Sequence, residues 1–90
     1  MADEARLKRD ARLPFQEIEG QAVVVVPARR EMHELDETAT YLWRELERSR
    51  SVAELVEAVC GEFEVEPERA EKDVRAFVAR LEEKGLLVRA

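Results

Sequence analysis

Ninety residues with 46% hydrophobic and 40% charged side chains are too few for two cores and too apolar for a disordered chain, so one domain is expected. The net charge of −6 argues against a protein built to bind phosphate backbones, and no apolar run of about 18 residues is present to span a membrane. The single cysteine, Cys60, excludes an internal disulfide and fits a reducing cytoplasm; the first residues lack the apolar segment of a signal peptide.

Charge is unevenly distributed. Residues 1–30 carry six basic and five acidic side chains, whereas residues 31–90 carry nine basic and sixteen acidic ones. Met1–Arg12 is charged and nearly without bulky apolar residues, which predicts a mobile arm preceding a domain over residues 13–90. Leu13–Glu19 alternates loosely and starts near Pro14, as an edge strand does. Glu19-Gly20 supplies turn chemistry. Gln21–Val26 follows with four consecutive valines, a central strand or one covered on both faces, and Pro27 ends it. A third strand is expected over Glu31–Leu35, completing an antiparallel meander with the valine strand in the middle.

Helical periodicity then takes over. Asp36 caps a first helix reaching Leu46, with Ala39, Leu42, Trp43 and Leu46 on one face and Trp43 as a core anchor. Ser51-Val52-Ala53-Glu54 fits a capping box and opens a second helix to Phe63, on which Cys60 reads as a small apolar filler. Pro67 suits a first helical position, and a third helix runs to Lys84 with Ala70, Val74, Phe77, Val78 and Leu81 buried. Gly85 is its left-handed stop, Leu86 packs back on the last turn, and Leu87 and Val88 finish against the core. The fold class is α+β: a three-stranded antiparallel sheet followed by a three-helix bundle, winged-helix-like.

No catalytic constellation emerges, so no enzyme and no cofactor are expected. His33 is the lone histidine and lacks nearby nitrogen or sulfur donors, which argues against a metal site. Cys60 sits among apolar residues, an environment that raises rather than lowers a thiol pKa. No glycine-rich phosphate loop is present. Binding remains. A winged-helix outline raises DNA as a partner, but the third helix carries five acids and five bases within an acidic half, so nucleic acid is not expected. The stronger candidate is Glu31–Leu35, short, charged and last in its sheet. An open strand edge lets an extended peptide add itself through backbone hydrogen bonds. Asp73, Phe77, Arg80 and Lys84 would line the facing side of the last helix, with Phe77 equally readable as core alone. The same edge also permits self-association, giving a monomer or a strand-exchanged homodimer.

The ordered motifs resemble the PqqD-like family. Val25-Val26-Pro27 followed by His33-Glu34-Leu35-Asp36-Glu37-Thr38-Ala39-Thr40-Tyr41-Leu42-Trp43 is similar to its LxP … xLNETAxxIW signature, with Asp36 in place of the usual Asn. Ser51–Leu55 resembles its (T/S)VxEL helix start, and Phe63–Glu68, Asp73–Leu81 and Gly85–Leu87 resemble its FDVDPE, DVxxFLxxL and GLL segments. The family's usual DG before the second helix is replaced by Glu47-Arg48-Ser49-Arg50. The resemblance, over residues 13–88, implies a recognition element for ribosomally made, modified peptides. Its members hold the leader of a precursor peptide as an added strand and present it to a modifying enzyme such as a radical SAM protein. Carried over, the contacting positions are Arg30, Glu31, Met32, His33, Glu34 and Leu35 together with Asp73, Phe77 and Arg80.

Overall fold

In the computed structural model, residues 5–89 are described. Five strands and three helices follow in the order β1 (Leu7–Arg9), β2 (Phe15–Ile18), β3 (Gln21–Val26), β4 (Glu31–Glu34), α1 (Glu37–Glu45), α2 (Val52–Glu62), α3 (Pro67–Glu83) and β5 (Leu87–Arg89). The expected meander is present: β2, β3 and β4 form an antiparallel sheet in that order, with the valine strand central. β3 is buried at Ala22, Val24 and Val26 and only half-buried at the alternate valines, so one face meets the core and the other stays partly open.

Local chemistry shapes each element. Glu19 (φ 54°) and Gly20 (φ 84°) both occupy the left-handed region and join paired residues Ile18 and Gln21, the two-residue turn that matches strand twist. A 3-10 turn over Pro27–Arg29 ends at Arg30 (φ 56°) and delivers the chain into β4. The Asp36 carboxylate accepts from the Ala39 amide at 2.8 Å and starts α1. The capping box of α2 is complete: Ser51 Oγ accepts from Glu54 N (3.1 Å) and Glu54 Oε1 from Ser51 N (3.0 Å). The Ser51 amide, with Arg6 nearby, holds the Glu54 carboxyl below its ordinary pKa. Gly85 (φ 76°) and Leu86 close α3: Gly85 N donates to Glu82 O and Leu86 N to Leu81 O, a Schellman pair, and Leu86 is fully buried.

The core forms where the inner sheet face meets all three helices. Trp43 is fully buried, with Phe15 edge-on at 5.7 Å and 81°. Arg9 lies 4.7 Å above Phe15 and donates to the Trp43 carbonyl at 3.1 Å, capping this aromatic pair. Arg44 pairs with Glu17 and fastens α1 to β2; the guanidinium keeps the Glu17 carboxyl below the usual carboxylate range. The Trp43 indole nitrogen has no acceptor among the described residues.

Two expectations are corrected at the chain ends. Residues 7–9 do not belong to a mobile arm: they form β1, antiparallel to β5, and Leu7 is 2% exposed. Leu7 N donates to Arg50 O at 2.7 Å and Arg50 N to Leu7 O at 2.8 Å, so β1 is held on its other side too. The reason is a partner more than 40 residues away, which gave one buried leucine and two sets of backbone bonds to a segment with no apolar face of its own. Leu87 packs against the core as expected, but Val88 does not. They pair with β1, Leu87 half-buried and Val88 exposed. Residues 1–4 of the expected arm lie outside the described residues.

Candidate functional site

β4 ends its sheet. Which of its backbone groups face outward follows from register. β4 is antiparallel to β3 with Val24 opposite His33 and Val26 opposite Glu31. The Leu35 amide donates to the Ala22 carbonyl at 2.9 Å. Hydrogen-bonded pairs alternate along an antiparallel ladder, so His33 and Glu31 also point their backbone groups at β3. The N–H and C=O of Met32 and Glu34 therefore point away from the sheet. β3 obeys the same parity on its other side, where the Val25 amide donates to Pro14 O at 2.9 Å.

A hydroxyl fixes where this open edge stops. Thr40, buried on α1, accepts from the Ala22 amide at 2.9 Å and donates to the Leu35 carbonyl at 3.3 Å. It is inserted between two groups that would otherwise bond each other and relays the ladder as β4 peels off into α1. Thr40 was not singled out from sequence. Its position four residues after the cap, on the core side of the helix, was the available signal.

Across from the edge runs α3. Between them lies a groove of about 300 Å³, lined by Met32, His33, Glu34 and Leu35 from β4 and by Arg80 and Lys84 from α3. Buried Ala39, Leu81 and Leu86 form its apolar base. A second hollow of about 300 Å³ continues it along α3, shares Asp36, Ala39 and Arg80, and adds Asp73 and Phe77. From Asp73 to Lys84 the helix rises about 16 Å, the length of roughly five extended residues. The contribution of α1, through Ala39 and Thr38, was missed from sequence: a small residue on a buried stripe marks where two helices approach closely, but not which two.

Eight of the ten sequence-predicted positions are thus brought together around one cleft. Phe77 is 3% exposed, so it is core and cleft wall at once. Asp73 lies there but is paired with Arg69 at 3.4 Å. The other two, Arg30 and Glu31, do not line the cleft. Arg30 occupies the turn ahead of β4, and the exposed Glu31 carboxylate meets His33 Nε2 at 3.1 Å. Among the described residues no three His, Cys, Asp or Glu side chains converge to hold a metal ion, and no helix is long and apolar enough to cross a membrane.

Comparison with known proteins agrees with this architecture. The model of the family PqqD, coenzyme PQQ synthesis protein D, matches residues 21–87. No curated protein sequence matches. Among solved structures, TbiB1 in complex with the TbiA(beta) leader peptide is 28% identical, with a TM-score of 0.81 over 89% of this chain and 93% of that one. A lasso peptide synthetase B1 complexed with its leader peptide is 24% identical, with a TM-score of 0.79 over 91% and 96%. The solution structure of the PqqD truncation of Methylobacterium extorquens PqqCD, a stand-alone recognition element for ribosomally synthesised and post-translationally modified peptides, is 16% identical, with a TM-score of 0.74 over 92% and 88%. The last two likenesses concern the fold. With three-quarters of its length under one family model and the sheet-then-helices order in place, the chain belongs to the PqqD family.

Proposed function

We propose that this chain is a non-catalytic adaptor. It captures the leader segment of a ribosomally synthesised precursor peptide by adding it as a strand to β4 under the α3 wall, and presents the peptide to a modifying enzyme, such as a radical SAM protein, in the cytoplasm. One observation carries the reading: the outward-facing backbone groups of Met32 and Glu34 stand beside a groove of about 300 Å³ walled by α3. The likeness to TbiB1, itself complexed with a leader peptide, supports it. Duplex DNA is a poor alternative occupant, because residues 67–84 carry as many acids as bases and each phosphate contact needs a cation.

Titrating an isotope-labelled sample with an extended leader peptide tests the proposal. Amide shifts are expected at Met32, Glu34 and Arg80–Lys84, without salt-sensitive binding to duplex DNA. Shifts confined to other faces, or an edge already filled by a second copy in a concentration-dependent dimer, would count against it.

A further inference from the structure

The cations of α3 are not all in the same situation. Arg69 and Arg75, away from β4, pair with Asp73 (3.4 Å) and Glu71 (3.0 Å). Arg80 and Lys84 face the groove, and among the described residues neither side chain has an ion-pair partner. Two acids share this hollow but do not neutralise them. The Asp36 carboxylate is engaged by the Ala39 amide at the start of α1. Glu34 alternates with His33, so its side chain leaves the opposite face of the sheet. Arg29, 3.4 Å from the Glu83 carbonyl, adds positive charge at the same end of the groove. Cations near a helix C-terminus also suit its dipole, which accounts for the charge but not for two of them facing a cleft.

Spacing makes the observation specific. Arg80 and Lys84 are four residues apart, a rise of about 6 Å along the helix. Alternate residues of an extended strand project from one face about 6.8 Å apart. A strand laid along β4 can therefore set two consecutive groove-facing side chains against the two cations. The next groove-facing position, toward Asp36, lies over apolar Ala39 and Phe77.

Resting on the leader-binding reading, we infer that the leader of this protein carries an acid–any–acid triplet facing Arg80 and Lys84, with an apolar side chain two positions further toward Asp36. The backbone of β4 accepts any extended chain; the α3 wall selects among them by charge.

Three synthetic peptides of one threonine-rich extended sequence test this, differing only in a Glu-x-Glu, Gln-x-Gln or Lys-x-Lys triplet. Binding is read by anisotropy and by the Met32 and Glu34 amide shifts, with melting curves confirming that each variant is folded. The Glu-x-Glu peptide should bind about tenfold tighter than the Gln-x-Gln peptide at low salt. That advantage should shrink toward 1 M salt, where the screening length is about 3 Å. The Arg80→Gln/Lys84→Gln variant should lose the preference, and Arg80→Glu/Lys84→Glu should favour Lys-x-Lys. If all three peptides shift the edge amides with equal affinity, the charge inference is overturned while the adaptor reading stands. If none of them perturbs Met32 or Glu34, both are overturned.

Discussion

Met32 and His33 are neighbours on one short strand, yet proline should act on them in opposite ways. Met32 points its N–H into the groove, is 67% exposed and gives no ladder bond to β3. Met32→Pro should therefore leave the fold nearly intact while deleting one donor to an incoming strand. A net hydrogen bond is worth about 0.5–1.5 kcal/mol, or roughly two- to twelvefold in peptide affinity. His33→Pro removes a bond to Val24, which is fully buried, and leaves that carbonyl unpaired at about 1–3 kcal/mol. In a domain of this size each kcal/mol lowers Tm by about 4–8 °C. The paired measurement is thermal melting together with titration of one extended leader peptide. Met32→Pro should lose affinity with little change in Tm, and His33→Pro should lose Tm. Unchanged affinity in folded Met32→Pro, or equal destabilisation by both, would refute the register argument on which the open edge depends.

Two further outcomes follow from the supports of that edge. Thr40→Val keeps the shape of the side chain but strips the relay between Ala22 and Leu35; the unpaired amide and carbonyl should cost about 1–3 kcal/mol and speed hydrogen exchange at the end of β4, whereas Thr40→Ser should retain most of the stability. Leu7→Ala should cost about 2–5 kcal/mol in a denaturant melt because Leu7 is buried between β5 and Arg50; a loss below about 0.5 kcal/mol would mean that this segment is an arm after all.

Most elements were legible because their signals are local. Asp36 and Ser51 announce helix starts through side chains that reach only three residues, and both bonds are present. Gly85 is conspicuous because a left-handed stop favours a residue without a Cβ. The stripe from Ala70 to Leu81 repeats with the helix and is buried throughout. Lys8 and Val88, by contrast, form a pair across nearly the whole chain, and nothing within a few residues of either announces it. The arm reading failed there because periodicity is silent about three-residue strands.

The order of the three-stranded meander and the helices, the helix caps and most of the residues bound for the core were written into the chain itself, since each depends on neighbours close in sequence. Packing alone decided that α3 faces β4 across a groove of about 300 Å³, that Met32 and Glu34 turn their backbone outward, and that Thr40 bridges where the strands part. Those features depend on register and on distances between segments tens of residues apart, and a shift of one residue would have faced the other set of amides outward.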